Sequence, residues 1–184
     1  MTIPALKRIS SDTILEAARE VGLFFIGATS IERATATLSS EAKALSDWQS
    51  RGYAGEMKYM RRDAAMYATL DAILPHARSI VSFAVPYESR SVSPLPLGAG
   101  RIARYAWGLD YHQTLRSRLD RFVETCRTRT PGFAPAARAF SDAVPLLERP
   151  LAALAGLGFL GKHGLLLHQH RGSYFFLAEV VWDA

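Results

Sequence analysis

The sequence predicts a mixed α/β (α+β) fold, a sheet flanked by helices, in one domain covering residues 1–184. Two patterns predict it. Segments with apolar residues three and four apart read as amphipathic helices, while short Val-, Ile- and Phe-rich runs bounded by Gly or Pro read as strands. A chain of 184 residues is also long enough to bury a real core.

Thr13-x-x-Glu16 has capping-box spacing and opens a first helix, with Ile14, Leu15, Ala18 and Val21 on one face and Gly22 as its stop. Residues 23–28 (LFFIGA) form a short buried strand. Residues 40–51 form a second helix with Ala42, Leu45 and Trp48 inward, stopped by Gly52. A loop mixing aromatics, methionines and charge follows over 52–63. Residues 79–87 (SIVSFAVPY) read as a central strand, and 89–100 (SRSVSPLPLGAG), dense in breakers, as a surface loop. The clearest helix spans 110–128, with Leu115, Leu119, Phe122 and Cys126 on one stripe. Residues 136–141 are a strand that delivers Asp142 at its end. Residues 165–170 and 174–182, joined across Arg171 and Gly172, read as a β-hairpin.

Composition narrows the class. Hydrophobic content of 49% with 21% charge is that of an ordinary globular protein. No apolar run approaches the roughly 20 residues that span a bilayer, and the N-terminus lacks an apolar core of signal-peptide length. Cytoplasmic residence with no membrane partner is therefore expected, and a monomer. The single cysteine, Cys126, permits neither an internal disulfide nor a four-thiolate iron–sulfur cluster, and no Cys/His cluster has zinc spacing, so no metal site is expected. Of the 22 basic residues 18 are arginine, and seven arginines against three acids fall between Arg101 and Arg129. Such a patch fits a phosphate-bearing partner or a solvated helix face equally well.

Two nucleotide motifs dissolve on inspection. Residues 156–161 spell G-x-G-x-x-G and 156–162 spell G-x-x-x-x-G-K. A dinucleotide fingerprint follows a strand and opens a helix. Here a helix-like stretch (150–155) precedes the glycines and a strand-like run follows. His163 also stands where a phosphate loop needs Ser or Thr. A glycine-rich helix C-terminus is the better reading.

Asp142 is the chemically interesting acid, since a carboxyl at a strand end can donate a proton if burial raises its pKa. The alternative is a helix N-cap for residues 144–146.

Five segments together resemble the epoxyqueuosine reductase family, cobalamin-dependent enzymes of queuosine biosynthesis in tRNA. They are 52–62 (GYAGEMKYMRR), 103–112 (ARYAWGLDYH), 138–152 (RAFSDAVPLLERPLA), 155–164 (AGLGFLGKHG) and 172–179 (GSYFFLAE). The resemblance implies a cobalamin-binding catalytic domain related to the nitroreductase-like domains of reductive dehalogenases. It further implies a two-cluster [4Fe–4S] ferredoxin-like domain and helical repeats beyond residue 184, neither of which this sequence contains. The implied reaction reduces epoxyqueuosine to queuosine, with tRNA carrying epoxyqueuosine in its anticodon loop as partner. The iron–sulfur domain or an external donor would supply electrons, so the chain alone is expected to be inactive.

By the same resemblance Asp142, within R-x-F-x-D-x-x-P-x-L-E-R, is the proton donor. Arg104, Tyr105, Asp110, Tyr111 and His112 face cobalamin. Gly161, Lys162, His163 and Ser173 contact its side groups, and Tyr59 and Arg61 line the corrin edge or substrate mouth. Judged by spacing alone, His112 falls on the core stripe of Leu115 and Leu119. Ala54, Ala103 and Ala143 depart from the family, which usually carries His, Ser and a hydroxyl there. Three competing readings stay open: a non-catalytic corrinoid-binding module, a flavin enzyme, and a related cobalamin reductase with another substrate.

Overall fold

The computed structural model describes residues 8–87 and 94–184. Part of the surface loop expected over 89–100 lies outside these residues. Four strands form one antiparallel sheet: β1 (Phe25–Ser30), β2 (Ser79–Pro86), β3 (Ala137–Phe140) and β6 (Phe175–Trp182), in the spatial order β1-β2-β6-β3. A separate small ladder joins β4 (Phe159–Leu160) to β5 (Leu166–Leu167). Helices α1 (Ser11–Glu20) and α3 (Tyr111–Arg129) cover one face of the large sheet, and α2 (Ile31–Ser50) and α4 (Glu148–Leu154) the other.

Side-chain alternation explains these layers. Val81, Phe83 and Val85 of β2, with Ala178, Val180 and Trp182 of β6, point at α1 and α3. There they meet Ala17, Ala18, Leu115, Leu119, Phe122 and Cys126, with Phe83 edge-on to Phe122 at 5.1 Å. Ile80 and Val181 point the other way, onto Ala34, Leu38 and Leu151. Burial pushes the Cys126 thiol up to about 12, which makes it an inert core group. No helix among the described residues is long and apolar enough to cross a membrane.

Several expectations need correction. The first helix is capped by Ser10, whose hydroxyl accepts from the Thr13 amide at 3.1 Å, so Thr13 lies inside the helix. Its buried stripe is Ile14, Ala17, Ala18 and Val21, and Leu15, one step of 100° away, is 37% exposed. The second helix starts at Ile31, nine residues early, capped by Ser30. The predicted hairpin does not form. β6 inserts between β2 and β3, β5 pairs with β4, and the Arg171–Gly172 turn closes a single bridge, His168 to Gly172. An eight-residue strand buried along its second half has more to gain from the eight residues of β2 and the four of β3 than from a two-residue partner. The glycine-rich turn is, as expected, a helix end: Gly156 sits at φ +85° and Leu157 N–H donates to Ala152 O at 3.0 Å.

The docking of α4 on the sheet needs Gly27. A Cβ there would lie 2.1 Å from the Ala155 carbonyl oxygen, in the backbone at the end of α4. Gly27→Ala is therefore expected to lower stability by about 1–3 kcal/mol, because backbone must move. An unchanged urea-denaturation midpoint would refute the close approach.

Candidate active site

β3 ends at Phe140, and the chain turns sharply over residues 141–147 before α4 begins. Three contacts fix the turn. Ser141 Oγ donates to Leu177 O of β6 at 2.7 Å. The Asp142 N–H donates to Glu148 Oε1 at 2.7 Å, and the Tyr111 hydroxyl donates to Asp142 Oδ2 at 3.2 Å. Asp142 itself is exposed and adopts φ +52°, the left-handed region, which Asp tolerates better than most residues. No helix forms over 144–146 and α4 has no side-chain cap, so the N-cap alternative for Asp142 fails.

The aspartate lies at the floor of an open cleft of about 270 Å³, walled by Tyr87, Tyr105, Tyr111, Arg149, Phe175 and Phe176. The rings are ordered by one another. Tyr111 stacks on Phe176 at 4.1 Å with 10° between planes, and Tyr87 leans on Phe176 at 4.8 Å. Arg104 reaches over Tyr174 at 5.2 Å and Trp107 at 5.8 Å. Burial first, then the Asp142 charge, pushes the Tyr111 hydroxyl up to about 12, so it stays a donor. Burial likewise raises Tyr87, with Tyr174 adding to the shift and Arg104 opposing it. Asp142, Glu148 and Arg149 also wall a second cavity of about 340 Å³, with Glu41, Leu160 and Gly164 across it.

Beneath Asp142 lies a pair of acids that sequence reasoning missed. Glu179 of β6 is fully buried, and neither carboxyl oxygen has a hydrogen-bond partner among the described residues. Burial, reinforced by the charge of Glu148, raises it well above the ordinary carboxylate range. Burial also lifts Glu148 to about 7, against the pull of the Asp142 amide and Arg149. Two neighbouring carboxyls, one fully buried and one half-buried, disfavour ionising together. Both acids lay inside quoted segments without a role. The available signal for Glu179 was an acid in the middle of an apolar strand (FFLAEVVW).

Other expected residues are placed as follows. Asp110 caps α3, accepting from the His112 amide and the His112 ring at 2.9 Å each, and that ring bond holds its carboxyl below the usual range. His112 is thus an exposed capping partner and not on the core stripe. Arg104 and Tyr105 form a turn of 3₁₀ helix beside the cleft. The 161–164 turn, with Lys162 and His163 exposed, is tied to the site through Arg149, which donates to Gly164 O. Ser173 is half-buried beside Tyr174. Tyr59 and Arg61 stand apart: Arg61 donates to Gly55 O and lines a separate cavity with Gln49 and Ala54, and no described contact joins it to Asp142. Of the basic stretch, Arg116, Arg127 and Arg129 are occupied by Asp120, Glu124, Glu16 and Glu20. Among the described residues no cluster has the makings of a metal site.

A family profile described as epoxyqueuosine reductase QueG, DUF1730, matches residues 68–143, ending one residue past Asp142. The epoxyqueuosine reductase of Aliivibrio fischeri is 35% identical over 179 residues, 90% of this chain and 44% of that protein. Along nearly all of its length the chain resembles the epoxyqueuosine reductase family. Solved structures of the family superpose on it. One, an epoxyqueuosine reductase with an epoxyqueuosine-modified tRNA-Tyr stem loop, has TM-score 0.76 at 28% identity, covering 94% of this chain and 44% of that one. Another, from Bacillus subtilis with its catalytic aspartate loop swung out of the active site, has TM-score 0.72 at 29% identity, with the same 94% and 44% coverage. The chain spans less than half the length of these epoxyqueuosine reductases.

Proposed function

We propose that this chain is the cobalamin- and substrate-binding portion of an epoxyqueuosine reductase, acting in queuosine biosynthesis on tRNA that carries epoxyqueuosine. One observation carries the reading. An exposed carboxyl, Asp142, is presented by a left-handed turn to a cleft of aromatic rings, held there by Tyr111 and Glu148. The tRNA partner follows from the family member solved with a modified stem loop.

The reaction breaks both carbon–oxygen bonds of an epoxide, takes up two electrons and two protons, and leaves an alkene and water. Negative charge develops on the departing oxygen, so a proton delivered there lowers the barrier. Asp142 is the donor in this reading, and Tyr111 orients its carboxyl through Oδ2. The turn bearing Asp142 is the counterpart of the aspartate loop described for the Bacillus subtilis enzyme.

The cleft suits a corrin, which has flat apolar faces and an amide-bearing rim. Tyr105 and Tyr174, 53% and 47% exposed, offer ring faces, and the exposed Phe159 and Leu160 add apolar surface. Arg104, Lys162, His163 and Ser173 offer donors at the edge, along with the Gly161 backbone, while Asp110 and His112 fix the start of α3 behind Tyr111. Bound there, cobalamin would supply reducing equivalents through its cobalt. Tyr59 and Arg61 belong to the outer substrate mouth in this reading. With one cysteine the 184 residues ligate no [4Fe–4S] cluster, so the electrons come from an iron–sulfur domain or an external donor.

Titration of the chain with cobalamin, followed by corrin absorbance, is expected to show a saturable spectral change. Cobalamin that stays freely dialysable at micromolar protein would retire the cofactor assignment.

A further inference from the structure

We propose that Glu148 is the positioning residue of Asp142: its carboxylate, seated against the buried Glu179, clamps the Asp142 amide and so holds the proton-donating turn in the cleft. The inference rests on the reading of Asp142 as the donor. Its geometry is independent of that reading.

The turn over residues 141–147 has no regular secondary structure, and Asp142 at its apex occupies a conformation that residues with side chains rarely adopt. Something must hold it. Ser141 ties down the residue before, and Tyr111 reaches only the Asp142 side chain. Among the described hydrogen bonds, the one to Glu148 Oε1 alone grips the Asp142 backbone, at 2.7 Å. Nothing in packing requires an acid here. Glu148 is desolvated at the start of α4, where a third carboxylate beside Asp142 and Glu179 adds repulsion. The bond it makes is a strong one, because a carboxylate accepts an amide proton more strongly than a neutral oxygen does.

The same surroundings make the clamp sensitive to pH. Glu148 faces Asp142 from the turn, Glu179 from β6, Tyr111 from α3 and Arg149 from its own helix, with Glu41 of α2 across the second cavity. Burial places its titration near 7, so the clamp is charged and tight above that pH and weaker below it. A turn that must deliver a proton gains a release governed by the protonation of a neighbouring acid.

Amide hydrogen exchange of Asp142, followed by NMR on this chain, reads the clamp without cofactor or substrate. Glu148→Ala is expected to speed exchange at Asp142 at least tenfold at pH 7.5 while amides of β2 and β6 keep their protection. Glu148→Gln is expected to restore most of the protection and to lose its dependence on pH between 6 and 8, corrected for intrinsic exchange. Equal protection of Asp142 in wild type and Glu148→Ala would overturn the proposal. If Glu148→Ala does not fold, the Gln variant decides, and a pH profile matching wild type overturns it. Failure of cobalamin to bind would remove the functional reading and leave the clamp standing.

Discussion

Asp142→Asn is expected to leave the cleft intact and reduce epoxide deoxygenation by roughly 10²–10⁴-fold, the usual contribution of a positioned acid. The amide is nearly isosteric and keeps an oxygen for the Tyr111 hydroxyl, and the backbone N–H still reaches Glu148. Asn also tolerates the left-handed region about as well as Asp, so φ +52° adds no strain. Only the transferable proton is lost. Asp142→Ala confounds this, since it adds a backbone cost of about 1 kcal/mol to the loss of the acid. The assay is single-turnover reduction in a reductase that carries this domain with its electron supply, alongside cobalamin binding. Near-wild-type deoxygenation with cobalamin bound would take Asp142 out of the chemistry.

The second large effect is on stability. The pKa of Glu148 is raised to about 7 and that of Glu179 well above the ordinary range, so the folded state holds protons that the unfolded chain has already released. For raised carboxyls the stabilisation is complete below the unfolded value near 4.5 and is lost as pH climbs through the folded value. Each retained proton gives a slope of about 1.4 kcal/mol per pH unit over the range between the unfolded and folded titrations, so stability falls as pH rises through neutrality. The chain should be most stable in mild acid. Glu179→Gln removes one of the two acids and relieves Glu148 of its neighbour. It is expected to flatten the profile and to surpass wild type at pH 8, with little gain at pH 5. Urea midpoints at intervals from pH 5 to 8.5 test this, and a wild-type midpoint as high at pH 8 as at pH 5 rules it out.

The parts of the fold legible in the sequence were those whose signal is local and strong. Leu115, Leu119, Phe122 and Cys126 announce α3, and the apolar run of β2 announces a buried strand. Thr35, Thr37, Ser39 and Ser40 hid the first half of α2, because their intrinsic preference is poor and only the contacts of Ala34 and Leu38 with the sheet override it. The false hairpin is the same lesson in strands: Arg171–Gly172 is a good local turn, but β6 is claimed by partners about ninety and forty residues away. At the site, the linked motif singled out Asp142, Tyr105 and Tyr111, which line one cleft, but not Tyr87, Phe175 or Phe176 beside them. It did not expose Glu148 and Glu179, because their significance lies in meeting each other under the turn, which spacing along the chain does not encode.

β6 begins at the cleft, with Phe175 and Phe176 in its wall, and ends at Trp182 in the core beside Phe122 and Phe133. Eight extended residues cover roughly 25 Å. The chain is also moored beyond that point: Asp183 N–H donates to Ala136 O at 3.2 Å, and Ser79 Oγ to Ala184 O at 2.6 Å. Residue 184 is therefore held at the end of β6 away from the cleft, the length of the strand from Phe175. A fluorophore or affinity handle attached at residue 184 would report on the chain from the far end of β6 and leave the cleft walls untouched.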